Sequence, residues 1–122
     1  MPDQISAYAK GVMGETAACD YLVKQGMQPI DRRYRSPYGE IDLIMQCGNV
    51  LVFVEVKTRE RGTAQSAQWA VTSKKQQRLI QTALCYLGDH PKYASCVMRF
   101  DVVTVGKDGI IHIPNAFEGS EW

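Results

Sequence analysis

No run of apolar residues in this chain approaches the ~20 needed to cross a bilayer as a helix. The opening MPDQISAYAKG has neither the basic n-region nor the apolar h-region of a signal peptide. The expectation is a cytoplasmic protein with no membrane association. Cysteine occurs four times, at Cys19, Cys47, Cys85 and Cys96, without a CxxC motif or a Cys/His cluster. That pattern argues against a zinc site and a disulfide framework, and leaves free thiols. The two histidines, His90 and His112, have no neighbour at metal-ligand spacing. Internal repeats, low-complexity tracts and linkers are absent, so one domain over residues 1–122 is expected. A net charge of +1 gives the chain no bulk attraction to polyanions.

The distribution of charge is more informative than its sum. Basic residues gather in RRYR (Arg32, Arg33, Arg35), KTRER (Lys57, Arg59, Arg61) and KKQQR (Lys74, Lys75, Arg78). Any one of these clusters reads as a solvated face, and RRYR equally as charge that protects an edge strand from aggregation. Three of them flanking one pair of acids point to a polyanionic partner.

Spacing predicts a first helix from about Ser6 to Gln25, with Gly11, Glu15, Ala18 and Leu22 on one line and Gly26 just past its end. Gly11 and Gly14 each weaken that helix by roughly 1 kcal/mol relative to Ala. Close packing is expected there, beside Glu15. Met27–Arg35 reads as a strand that Pro29 confines to an edge or a bulge. After the turn SPYG come two strands, Glu40–Gln46 and Leu51–Lys57, and a loop over Thr58–Trp69. A second helix opens at the capping-box pattern SKKQ (Ser73 to Gln76), carries a stripe of Leu79, Ile80, Ala83, Leu84 and Leu87, and ends at Gly88. Val97–Val105 and Ile110–Ile113 complete the order α-β-β-β-α-β-β, an α/β mixed sheet with helices packed on it.

The central hairpin contains costly residues. Glu40 to Lys57 is largely apolar, yet Asp42, Glu55 and Lys57 interrupt it. Side chains two apart on a strand share a face, so Glu55 and Lys57 point the same way. The two-residue loop Gly48-Asn49 pairs Cys47 with Val50, Gln46 with Leu51 and Ile44 with Phe53, and sets Asp42 against Glu55 and Glu40 against Lys57. Opposed side chains have Cβ atoms ~5 Å apart. Two carboxylates that close repel, and a divalent cation removes the conflict. Mg²⁺ or Mn²⁺ takes one or two carboxylates with waters and phosphate oxygens, and the Val56 carbonyl could add an oxygen. Lys57 could hold a water or stabilise charge on a phosphate. A plain Glu55–Lys57 ion pair is the competing reading. Trp69 could stack on a base or fill the core, Tyr34 reads as a packing residue, and Asp101 reads as a structural charge paired with Arg99 or Arg59. Asn115 to Phe117 should close the core.

These same stretches carry a resemblance. GVMGETAACDYLVKQG, RRYR followed by GEIDLI, LVFVEVKTR, AVTSKKQQRLIQTALCYL and RFDVVTV resemble, in order and spacing, the YraN-like family of small bacterial proteins. That family is assigned to the restriction-endonuclease-like superfamily, whose D…(D/E)xK signature is shared by archaeal Holliday-junction resolvases. The resemblance implies a three-layer α/β core with a mixed central sheet flanked by helices. Asp42, Glu55 and Lys57 match the first acid, second acid and lysine of the signature. Glu15 matches the helix glutamate that completes the metal site in resolvase-like members, and Gln77 lies near a helical glutamine of some relatives. Arg33 stands where the resemblance leads one to expect Asn, and AQSAQWAV replaces an aromatic-Gly pair, so details of substrate grip do not carry over.

The resulting expectation is a Mg²⁺- or Mn²⁺-dependent nuclease acting on DNA, branched and single-stranded DNA included. Asp42, Glu55, Glu15 and the Val56 carbonyl would hold the metal, and Lys57 would assist the nucleophile. Arg32, Arg33, Arg35, Arg59, Lys74, Lys75, Gln77 and Arg78 would contact nucleic acid. A homodimer would let two such sites address two strands. The alternative is a non-catalytic module that keeps the nuclease fold and docks nucleic acid or a protein on its basic rim.

Overall fold

Helix α1 is described over Ala7–Lys24 and ends in a Schellman motif. Gly26, at φ 95°, donates its N–H to Val23 O at 3.0 Å, and Met27 donates to Leu22 O at 3.1 Å. The computed structural model describes residues 7–58 and 72–117. Arg59, Arg61, Trp69 and all but the first residue of the expected Thr58–Trp69 loop lie outside the described residues.

Five strands follow the chain order across one sheet: β1 (Gln28–Ser36), β2 (Gly39–Cys47), β3 (Val50–Thr58), β4 (Val97–Gly106) and β5 (Gly109–Phe117). β1–β2, β2–β3 and β4–β5 are antiparallel, and β3–β4 is parallel. The parallel pair requires a crossover, which helix α2 (Ser73–Asp89) provides. The element order is the one expected. Pro29 lies on an edge strand and beside a register shift, between Pro29 and Asp31, because it has no N–H for a ladder.

The two helices cover opposite faces. Ala18 and Leu22 of α1 pack with Leu43, Met45, Val52, Val54 and Val103. Leu79, Ile80, Ala83 and Tyr86 of α2 pack with Ile41, Ile44, Leu51, Phe53 and Phe100. Phe117 stacks on Phe100 with centroids 4.8 Å apart and so closes this core as expected. Tyr34 packs edge-on against Tyr86 and donates its hydroxyl to Asp89 at 2.8 Å.

The second helix departs from expectation at three places. Its N-cap is Thr72, whose side chain accepts the Lys75 N–H at 3.2 Å, while Ser73 is the first helical residue. It runs through Gly88 to Asp89, and His90 closes it by donating to Tyr86 O and Leu87 O. The buried stripe is Leu79, Ile80, Thr82, Ala83 and Tyr86. Leu84 is exposed, because it lies more than 100° from the line through Leu79, Ala83 and Tyr86. Of the two glycines in α1, Gly14 is the crowded one. A Cβ there would lie 3.2 Å from Thr58 Oγ1, whereas nothing described lies within 4 Å at Gly11. The four cysteines are free. No described helix is long and apolar enough to cross a membrane.

Candidate functional site

Alternation along β3 sends Leu51 and Phe53 toward α2, and Val52 and Val54 toward α1. Glu55 continues the α2 side and Val56 the α1 side, so Lys57 shares a face with Glu55. The turn at Gly48 (φ 59°) sets the register that brings Asp42 to the same place. Cys47 pairs with Val50, Gln46 with Leu51 and Ile44 with Phe53, as the sequence predicts. The regular ladder stops at Leu43 and Val54. One step further, Asp42 Oδ2 accepts the Val56 backbone N–H at 2.8 Å. Strict alternation on β2 breaks here, since Ile41 and Ile44 both join the α2-side cluster. The expected pairing of Glu40 with Lys57 is not formed. Glu40 accepts Arg35 Nε at 2.8 Å instead.

Asp42 and Glu55 thus meet in a partly desolvated place. The Asp42 carboxyl is pushed up to about 7, first by burial and then by the charge of Glu55, against the opposing pull of the Val56 N–H. Among the described residues Asp42 has no ion-pair partner. Glu55 is buried at 6% exposure and carries two cations on the same oxygen. Lys57 Nζ lies 3.4 Å from Glu55 Oε2, and Lys75 Nζ of α2 sits directly against it. Burial alone would lower the Lys75 ammonium, but its contact with Glu55 outweighs this and raises it.

These groups line a cleft of about 610 Å³ between the β2–β3 hairpin and the start of α2, where Lys74 and Arg78 add further positive charge. Gln77 is exposed and does not line the cleft. Glu15 lies near enough to help raise the Asp42 carboxyl, but its own Oε1 accepts Arg33 Nε at 2.8 Å, with Arg32 3.9 Å away. Arg33 adopts φ 54° on β1, a left-handed backbone that disfavours most side chains. Arg32 also donates to Thr16 Oγ1 at 3.2 Å. The arginines of RRYR are therefore engaged with groups of this chain.

Among the described residues no three His, Cys, Asp or Glu side chains gather into one ligand set. The structure brings together two acids, with Glu15 to one side on Arg33. A pair of carboxylates, one of them without a cation and hard to ionise, fits a hard divalent ion that completes its shell with water and phosphate oxygens. Lys75 is the member of this constellation whose contact the basic-cluster reading missed. Its signal was its place four residues before Leu79, on the line of the buried stripe.

Asp101 belongs to a separate, structural centre. It accepts Arg99 Nε at 2.9 Å and Nη2 at 2.8 Å, His112 Nε2 at 2.7 Å and the Asn115 N–H at 3.0 Å. Burial alone would raise this carboxyl, but these hydrogen bonds hold it below the usual carboxylate range.

Known proteins resemble the chain along most of its length. A family model described as "Uncharacterised protein family UPF0102" matches residues 14–105. A UPF0102 protein of Rhodopseudomonas palustris (strain BisB18) is 40% identical over 120 residues, covering 98% of this chain and 87% of the relative. One from Gloeobacter violaceus is 43% identical over 116 residues, covering 89% and 92%. Among solved structures, SfsA of Pyrococcus furiosus in complex with Ca²⁺ aligns with a TM-score of 0.34 and 16% identity, covering 84% of this chain and 60% of that one.

Proposed function

This chain belongs to the uncharacterised protein family UPF0102, and on that premise we propose that it is a divalent-metal-dependent nuclease that hydrolyses phosphodiester bonds in DNA. The observation that carries this reading is the meeting of Asp42 and Glu55 in one cleft with Lys57 beside them and Lys74 and Arg78 at its rim. Asp42 and Glu55 would hold Mg²⁺ or Mn²⁺, with Glu15 and the Val56 carbonyl as further oxygens. The ion would supply Lewis-acid stabilisation of charge on the phosphate.

The remaining chemistry falls to the chain. Lys57 extends from β3 on the face of Glu55, where it can orient a water or neutralise an equatorial phosphate oxygen. Lys74 and Arg78 are placed to hold the backbone by charge, with no reading of sequence. Branched and single-stranded DNA are the first substrates to test, since a small chain whose acids lie in an open cleft fits an exposed strand.

The test is cleavage of a panel of branched, nicked and single-stranded DNAs in Mn²⁺. Wild type should cut at least one, and Asp42→Ala and Lys57→Ala should each lose about 100-fold or more. Uncut substrates, or equal cutting by the variants, would refute the assignment.

One observation favours a second reading, a non-catalytic module that docks nucleic acid or protein on the basic rim. Lys57 and Lys75 both contact Glu55, so its charge is met by ammoniums of the chain itself. This reading expects no cleavage and salt-dependent DNA binding that survives Asp42→Ala unchanged.

A further inference from the structure

Lys75 is not placed like an ordinary surface lysine. It precedes Leu79 by one helical turn, so α2 aims its side chain at the sheet along the line of the buried stripe. Its ammonium rests on Glu55 Oε2, the oxygen that Lys57 also approaches at 3.4 Å. Two cations therefore converge on one carboxylate oxygen, while Asp42 next to it has no cationic partner among the described residues. A single carboxylate is balanced by one ammonium, and Lys57 on the same strand already supplies one, so Lys75 is the cation in excess at Glu55.

We propose that Lys75 is an exchangeable counter-cation: it holds Glu55 while the cleft lacks a divalent ion, and passes to a substrate phosphate when such an ion takes Glu55. This deepens the nuclease reading and rests on it. An ammonium and a divalent ion compete for the same oxygen, so metal binding displaces Lys75. The displaced ammonium then needs an anion. It faces a cleft whose rim already carries Lys74 and Arg78, at the end of a helix whose first turn has no acidic residue. A phosphodiester group entering that cleft is the anion that restores balance. Metal and nucleic acid would thus support each other's binding through one side chain.

The exchange makes a signed prediction that a structural ion pair does not. Lys75→Gln removes the competitor for the metal and also the cation for the phosphate. Mn²⁺ titrated calorimetrically without nucleic acid should bind Lys75→Gln about tenfold more tightly than wild type, through the lost competition of charges. A labelled phosphorothioate oligonucleotide, at saturating Mn²⁺, should bind it about tenfold more weakly. Lys75→Arg should return both affinities toward wild type and guards against a folding defect in the glutamine variant.

Unchanged or weaker Mn²⁺ binding by Lys75→Gln overturns the exchange and leaves the nuclease reading standing, because wild type still takes up the ion. Tighter Mn²⁺ binding with unchanged oligonucleotide binding also overturns it, since Lys75 would then only block the metal. No Mn²⁺ uptake by wild type or variant overturns both.

Discussion

Asp42 accepts the N–H of the peptide that joins Glu55 to Val56, at 2.8 Å. One acid of the pair is therefore fixed by the backbone that carries the other. The hydrogen bond also takes the place of a ladder contact where β2 and β3 part company.

A pH dependence of stability follows from this placement. In the folded, metal-free chain Asp42 keeps its proton up to about pH 7, whereas an ordinary aspartate loses it near 3.8. Between those values the folded state binds more protons than the unfolded state, so the Asp42 contribution to stability falls as pH rises. Asp42→Asn removes that slope and keeps an acceptor for Val56. In urea denaturation with a chelator present, the variant should exceed wild type by on the order of 2 kcal/mol at pH 8 and by little at pH 4. A constant difference between the two pH values would reject the protonation account.

Arg33 carries opposing costs and gains. Its backbone, at φ 54°, is one that Asn tolerates well and β-branched residues poorly, while its side chain binds the buried Glu15. Arg33→Asn relieves the backbone and loses the ion pair, so stability should stay within about 1 kcal/mol of wild type. Arg33→Val loses the ion pair and adds strain, and should cost about 2 kcal/mol or more. Thermal and denaturant unfolding of the two variants will separate these terms. Equal losses would mean that backbone strain at this position is negligible.

The start of α2 offers a discriminating pair of substitutions. Thr72 accepts the Lys75 N–H, and Ser73 makes no such cap. Thr72→Ala should therefore cost about 1 kcal/mol, and Ser73→Ala only a few tenths. The loss at Thr72 should also loosen Lys75, so the metal-free protein should show faster amide exchange across the first turn of α2. A larger effect at Ser73 would relocate the cap to the residue that the SKKQ pattern suggests.

What could be read from the sequence was local. The Gly48-Asn49 loop fixes a two-residue turn, and from it the pairing of Ile44 with Phe53 follows by counting, whereas the expected pairing of Asp42 with Glu55 lies past the end of the ladder, where Asp42 instead accepts the Val56 N–H. Pro29 marks the edge strand because its missing N–H leaves few other positions open. Gly14 marks a close approach, although the neighbour, Thr58, is far away in sequence. The misses came from a wrong choice of helix phase and from tertiary contacts. Taking Leu84 into the stripe turned the helix away from Tyr86 and hid the line that runs from Tyr86 back through Leu79 to Lys75. Thr72 caps the helix where the SKKQ pattern points to Ser73, because both residue types can cap and only the chain entering the helix decides between them. The Arg33–Glu15 contact joins β1 to α1 across the top of the sheet, and no spacing rule connects those positions.

Because strand order in the sheet repeats order in the chain, only one junction of the sheet, β3 to β4, brings together segments far apart in sequence. Loop closure there is the costliest single closure in building the sheet, since the other three junctions are hairpins. Asp42 and Glu55 come from a hairpin on the near side of that junction, while Lys75 arrives with the segment that spans it. During refolding the two acids can therefore approach with Lys57 of the same hairpin beside them, and the second ammonium joins Glu55 only when the crossover segment docks.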